Sequence, residues 1–82
     1  MGYPIVVDVT LREGIADPEG ATIERALPAL GFSGVRRMRA GRSFRFDVEA
    51  ADEASALAVA SALAERLLSN PVIEQTAVRL GA

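Results

Sequence analysis

The sequence contains no cysteine, no histidine and no lysine. Without cysteine, the chain has no disulfides, no thiolate nucleophile and no cysteine-based zinc site. Without histidine, it lacks the side chain whose pKa best suits proton transfer near neutral pH, which is also the commonest metal ligand. Without lysine, it has neither a Schiff base nor a P-loop lysine. We therefore expect no catalytic, cofactor-binding or metal-binding residue on this chain.

The remaining composition indicates one small domain over residues 1–82. Half of the residues are apolar, which is enough for a core, and the net charge of −2 does not favour nucleic acid as a partner. The longest uncharged helical stretch, Ala54 to Ala64, is too short to cross a bilayer. We expect a cytoplasmic protein without membrane contact.

The first segment, Tyr3 to Arg12, predicts a half-buried strand because apolar side chains occupy every second position. Val6 is an exception on the outer face, which an oligomer contact would explain. The apolar face consists of Tyr3, Ile5, Val7, Val9 and Leu11.

A helix is predicted next, with Asp17 as the N-cap and Pro18 at the first helical position. Gly31 suits the residue after the helix end, where the backbone turns left-handed. Pro28 conflicts with a regular helix, so we expect a kink or an irregular last turn there. The predicted core stripe is Ile23, Leu27 and Leu30.

Residues 35–50 predict a hairpin with Gly41 at the turn. In its second strand Phe44, Phe46 and Val48 alternate with charged residues. The first strand is weaker, because Val35 and Met38 are three residues apart and cannot share a face without a bulge.

A second helix begins after Asp52 and stops at Asn70-Pro71; its apolar face is Leu57, Ala60, Leu63, Ala64, Leu67 and Leu68. A last strand, residues 72–80, follows, with Ile73 out of phase. The order β-α-β-β-α-β predicts an α+β, two-layer, ferredoxin-like fold, in which two helices cover one face of a four-stranded antiparallel sheet.

An arginine-rich segment, residues 36–45, holds five of the nine cations and no acid. Three interpretations are open: a solvated set of charges that protects a sheet edge, contact with acids of a protein partner, or phosphate binding. Phe44 and Phe46 flank Arg45, as in a base-stacking sheet, but they share the phase of Val48, which favours burial.

Three strings of the sequence match one known family. The first is Asp17-Pro18-Glu19-Gly20 with the helix up to Leu30-Gly31-Phe32, and the second is Arg39-Ala40-Gly41-Arg42, similar to that family's R-x-G-K. The third runs from Leu67 to Glu74 and is similar to L-L-x-N-P-V-I-E. Together they resemble the PurS subunits of formylglycinamidine ribonucleotide synthase. The departures are Pro28, Arg42 in place of lysine, and Gln75-Thr76 in place of Asp-Tyr.

The resemblance implies a small non-catalytic subunit of an ATP-dependent, glutamine-using ligase of purine biosynthesis. The PurL subunit of that complex binds ATP and magnesium, the PurQ subunit is a glutaminase, and PurS helps them assemble and transfer ammonia. Two alternatives are a metabolite-sensing regulatory module and an RNA-binding sheet of similar topology.

Partner contact is the only site role that we assign from the sequence. We expect PurL-type and PurQ-type partners, contacted through Arg39, Gly41, Arg42, Asn70 and Pro71. Because Val6 and Ile73 lie outside the main apolar faces, we also expect a homodimer or a tetramer built from dimers.

Overall fold

The structure is a computed structural model, and it describes residues 1–81. It has an α+β fold with three strands, β1 (Gly2–Leu11), β2 (Gly41–Glu49) and β3 (Glu74–Leu80). Its helices are α1 (Pro18–Ala26) and α2 (Glu53–Leu63). The strands form one antiparallel sheet in the order β2-β1-β3, so the apolar first strand is central.

The core lies between β1 and α2. The alternating side chains Ile5, Val7 and Val9 are at most 1% exposed, as the sequence predicted. They face Ala60 and Ala64, which are fully buried, because a small side chain lets the helix approach the sheet closely. Half-buried side chains complete the cluster: Phe44, Phe46, Val48, Leu57, Leu68 and Val78.

Val6 lies on the opposite face of the sheet, yet only 3% of it is exposed. Arg79 stands directly opposite Val6 on β3, and its guanidinium pairs with Asp8, so this side chain crosses the outer face beside Val6. Arg45 stands opposite Val6 on β2. Val6 is therefore covered within the chain itself, and its burial does not require an oligomer contact.

The prediction of a four-stranded sheet is wrong for the described residues, which form a sheet of three strands. Residues 35–40 are not a strand, since Gly34 (φ 78°) and Arg37 (φ 57°) adopt left-handed backbone angles that interrupt an extended chain. Gly41 is not a hairpin turn but the first residue of β2, where it pairs with Thr10. A Cβ on Gly41 would lie 2.7 Å from the Val9 carbonyl oxygen.

The caps of α1 are confirmed, but its core stripe is not. The Asp17 carboxylate accepts a hydrogen bond from the Gly20 N–H at 2.9 Å, and Pro18 opens the helix. As expected, Pro28 ends the α-helical geometry: α1 stops at Ala26, a 3-10 turn covers Pro28–Leu30, and Gly31 closes it at φ 88°. Ile23 and Leu30 are 40% and 70% exposed.

Residues 12–40, which we call the arm, project from the sheet. The radius of gyration is 16.0 Å, whereas a compact chain of this length has about 12 Å. Only α2 packs across the three strands, so the expectation of two helices on one face was wrong.

Helix α2 begins as predicted, with the Asp52 carboxylate accepting the Ser55 N–H at 2.7 Å. It continues as a π turn, Ala64–Leu68, whose end is held by a 2.8 Å hydrogen bond from the Ser69 hydroxyl to the Ala64 carbonyl. Leu67, assigned to the buried face, is 74% exposed. None of the helices among residues 1–81 has the length and apolar character needed to cross a membrane.

Candidate functional site

The second and third strings of the resemblance meet at one end of the sheet. Arg42, the second residue of β2, reaches Glu74, the first residue of β3. Its Nη2 atom donates to the two carboxylate oxygens of Glu74 at 2.9 and 3.2 Å and to the Leu68 carbonyl at 3.3 Å. The guanidinium also lies 5.7 Å from the ring centre of Phe44, which is a cation–π distance.

The turn from Asn70 to Glu74 is closed by its own polar groups. The Asn70 carbonyl accepts the N–H groups of Ile73 and Glu74 at 3.1 and 2.7 Å, and its side-chain oxygen accepts the Val72 N–H at 3.2 Å. In return, the Asn70 N–H donates to the Glu74 carboxylate at 2.7 Å. That hydrogen bond, with a smaller contribution from Arg42, lowers the pKa of Glu74 below its ordinary value of 4.5.

Arg12, at the end of β1, fastens this turn to the sheet. Its Nε atom donates to the Pro71 carbonyl at 2.9 Å, and its backbone N–H donates to the Ile73 carbonyl at 2.8 Å. A backbone held at this many points has few conformations available to it. The turn is therefore a preformed feature of the surface.

Arg39 lies at the base of the arm, where it serves the fold. Its guanidinium donates to the carbonyls of Arg12 and Ile15 at 3.3 and 3.0 Å, and its Nε atom lies 4.0 Å from the Asp17 carboxylate. Asp17 has a side chain only 5% exposed and also accepts the Ala40 N–H at 2.8 Å. The hydrogen bonds from Gly20 and then Ala40 lower the pKa of Asp17.

Three of the predicted contact residues thus come together, although their polar groups already form hydrogen bonds within the chain. Arg42 and Asn70 share Glu74, and Pro71 follows in the same turn. Gly41 can contact a partner only through its backbone. The Nη2 atom of Arg39 donates to carbonyl groups of the chain itself. Asp17, Gly41, Arg42 and Glu74 line one small cleft of about 200 Å³.

Sequence reasoning did not select Arg12, Gly20 or Glu74 as site residues. Glu74 and Gly20 lie in the strings that resemble the PurS family, so the resemblance itself could have pointed to them. A Cβ on Gly20 would lie 2.4 Å from the Met38 carbonyl oxygen, which only the folded arm reveals. Arg12 gave no signal, because an exposed arginine after a strand is ordinary.

Exposed apolar side chains border the same turn. Val72 is 80% exposed, Leu67 is 74% exposed and Ile73 is 36% exposed. Together with Pro71 they form what we call the corner patch. An apolar cluster on a rigid turn is suited to protein contact, since hydrophobic anchors carry much of the energy of interfaces.

Among residues 1–81 no group of three or more acidic side chains converges to hold a metal ion. A larger cleft of about 810 Å³ lies under the arm, and its acids are Glu13, Asp17 and Glu24. Asp17 accepts the Gly20 and Ala40 N–H groups, and Glu24 accepts the Met38 N–H at 2.8 Å. Phe44 and Phe46 pack against the core, so they do not offer a base-stacking platform.

Comparison with known proteins identifies the family. The model of the PurS family, described as phosphoribosylformylglycinamidine (FGAM) synthase, matches residues 4–82. The chain belongs to the PurS family. It is 39% identical over 72 residues to the PurS subunit of Archaeoglobus fulgidus, covering 88% of this chain and 90% of the relative. The PurS subunit of Thermotoga maritima is 36% identical, with 94% of each chain covered.

Solved PurS structures share the fold described above. The crystal structure of the Thermotoga maritima PurS subunit superposes with a TM-score of 0.91 at 34% identity, covering 99% of this PurS chain and 93% of that chain. A chain in the structure of PurLQS from the same organism gives the same TM-score and identity, with 99% of each chain covered. PurS is thus the small subunit of an FGAM synthase of purine biosynthesis, and the metabolite-sensing alternative is not favoured.

Proposed function

We propose that this chain helps a PurL-type synthetase and a PurQ-type glutaminase to assemble and to transfer ammonia between them. The observation that supports this most directly is its likeness, at a TM-score of 0.91, to a chain of the PurLQS complex. In this proposal ATP and magnesium bind to the PurL-type partner, and the complex acts in the cytoplasm. This chain supplies contact surface.

The proposed contact surface is the corner patch with the residues that support it. Asn70 and Pro71 form the turn, and Val72 and Leu67 expose apolar side chains beside it. Three further residues support this surface, because their contacts hold the strand ends and the base of the arm in place: Arg39, Gly41 and Arg42. A partner then meets a surface that has little conformational entropy left to lose.

Reconstitution tests the function. The purified chain alone should hydrolyse neither ATP nor glutamine, and adding it to PurL-type and PurQ-type subunits should restore glutamine-dependent synthesis. Synthesis with ammonium salts in place of glutamine separates a defect in ammonia transfer from a defect in the synthetase. Equal glutamine-dependent activity with and without this chain would refute the proposal.

The corner patch is tested by comparing two exposed valines. Val72→Asp places a charge in the proposed contact, while Val59→Asp does so on α2, where Val59 is 52% exposed. Val72→Asp should weaken complex formation at least tenfold in sedimentation velocity, and Val59→Asp should not. If both variants assemble like the wild type, the corner patch is not the contact.

The proposal includes self-association as a homodimer or a tetramer. The arm leaves apolar side chains in solvent that a second chain would cover: Ile23, Leu30, Phe32 and Val35 are 40–70% exposed. Closed symmetry is the common way to satisfy such surfaces.

A further inference from the structure

The π turn at the end of α2, Ala64–Leu68, changes which leucine contacts the core. In a regular α-helix, side chains three and four positions apart share a face, so Leu67 and Leu68 would both lie on the side of Ala64. In the structure Leu68 packs against the core, whereas Leu67 is 74% exposed. The π turn therefore directs a large apolar side chain into solvent. Turns of this kind are frequent at functional sites.

The exposed side chains of the corner patch contribute little to the fold itself. A leucine or valine stabilises a fold by leaving water, and Leu67 and Val72 remain mostly in water. The turn from Asn70 to Glu74 is fixed by its own hydrogen bonds, so its backbone has one shape before anything binds. Apolar side chains on a preformed backbone are suited to act as anchors in a partner's pocket.

Arg12 places a positive charge beside the corner patch. Its Nε atom donates to the Pro71 carbonyl at 2.9 Å, while among residues 1–81 its two Nη atoms form no hydrogen bond or ion pair. The acid of the turn, Glu74, is already engaged by Arg42 and by the Asn70 N–H. A guanidinium can pair bidentately with a carboxylate, so the Nη atoms of Arg12 are donors that a partner can use.

Given the proposed function, on which this assignment rests, we propose that the corner patch docks into an apolar pocket of a partner subunit whose rim carries carboxylates. Leu67 and Val72 enter the pocket, and the Nη atoms of Arg12 pair with a carboxylate at the rim. The apolar anchors supply affinity, and the ion pair supplies orientation. Charge distinguishes this partner from a second copy of the chain, because a copy that met the patch with its own patch would bring another Arg12 against the first.

Two truncations on the same helical segment test the anchor. Leu67→Ala removes most of the side chain that enters the pocket, and Val59→Ala is the matched control, since Val59 is 52% exposed on α2. Leu67→Ala should raise the dissociation constant for the PurL-type and PurQ-type subunits about tenfold in sedimentation velocity, while Val59→Ala should leave it unchanged. Both variants should keep nearly the wild-type Tm, because both side chains are exposed. Equal affinities of the two variants overturn the proposal.

Salt dependence tests the acidic rim. Arg12→Gln removes the charge, so it should bind more weakly at low salt, and its affinity should change less with added salt than that of the wild type. Arg12→Lys keeps the charge but loses the guanidinium fork that also holds the turn. It should bind more weakly with the wild-type salt dependence, which separates charge from turn geometry. Arg36→Gln, at an exposed arginine of the arm, is the control. A wild-type salt dependence in Arg12→Gln overturns the proposal.

Measurements without the partner subunits test whether a second copy uses the same patch. The self-association of Leu67→Ala in sedimentation equilibrium should equal that of the wild type. If the substitution weakens self-association as strongly as it weakens binding to the subunits, a second copy covers the patch and the proposal is wrong.

These outcomes are separate from the fate of the proposed function. A wild-type chain that restores glutamine-dependent synthesis, while Leu67→Ala and Val59→Ala bind equally well, keeps its function and loses this docking site. A wild-type chain that binds neither subunit loses both.

Discussion

Arg42 and Glu74 join two strands that are not neighbours. The Nη2 atom of Arg42 lies 2.9 Å and 3.2 Å from the carboxylate oxygens of Glu74, and β1 lies between their strands in the sheet. The contact therefore closes the end of the sheet over β1. The same Glu74 carboxylate accepts the Asn70 N–H. One ion pair therefore connects the end of the sheet with the turn that begins at Asn70.

Replacing Arg42 should destabilise the fold, contrary to what exposure alone would indicate. We expect Arg42→Ala to lower the Tm by a few degrees, since partly exposed ion pairs contribute up to about 1 kcal/mol. Arg36→Ala is the matched control on the arm. All the strong contacts of Arg42 use one nitrogen, so Arg42→Lys should keep most of the wild-type Tm. Equal Tm values for Arg42→Ala and Arg36→Ala in thermal denaturation would contradict this role.

Gly20 should tolerate no side chain. A Cβ there would meet the Met38 carbonyl at 2.4 Å, and neither atom belongs to a flexible side-chain end that could move away. We expect Gly20→Ala to cost roughly 1–3 kcal/mol in urea unfolding, as overpacking does. Gly2→Ala is the control, because its nearest neighbour would lie at 3.5 Å. The prediction is wrong if both substitutions have the same small effect.

The close packing of α2 on β1 should depend on alanine. Ala60 is fully buried against the core strand, whereas Ala62 is exposed on the same helix. We expect Ala60→Leu to lower the free energy of unfolding by about 1–3 kcal/mol through overpacking. Ala62→Leu should change it by less than about 0.5 kcal/mol. Chemical denaturation of the two variants distinguishes them, and similar values would show that the helix can move outward.

Acid should unfold the chain through a few carboxylates. The pKa values of Asp8, Asp17, Asp52 and Glu74 lie below their ordinary values of 3.8 for aspartate and 4.5 for glutamate. A lowered folded-state pKa stabilises the protein above the unfolded-state pKa, and this stabilisation is lost as the pH falls through the folded-state pKa. We therefore expect a plateau above about pH 5 and a steep loss below about pH 4.

The variant Asp17→Asn tests whether the Asp17 carboxylate contributes to the loss of stability in acid. It should be less stable than the wild type at pH 7, because the neutral amide is a weaker acceptor for the Gly20 and Ala40 N–H groups. It should also lose less stability on acidification. A pH profile of urea midpoints parallel to that of the wild type would show that Asp17 contributes nothing to the acid sensitivity.

Local patterns predicted local structure well. The alternation around Val7 located the central strand, Asp17 and Asp52 marked two helix starts, and Pro28 marked the change of helical geometry. These signals act between residues close in the chain, where periodicity and capping leave few alternatives. The strings of the resemblance identified the family, which the comparisons confirmed.

Contacts distant in the chain were decided only by the folded chain. Nothing near Arg42 in the sequence indicates that Glu74, 32 residues later, accepts its hydrogen bonds. The spacing of Ile23, Leu27 and Leu30 matches a core helix, yet α1 lies in the arm and not on the sheet. There the side chains of Asp17, Glu24 and Arg39 bond to backbone groups of the arm itself. The sequence by itself determined the central strand and the starts of both helices, because those depend on neighbouring residues. The tertiary structure decided the strand count, the position of α1 and the partners of each arginine, because these depend on which distant groups meet.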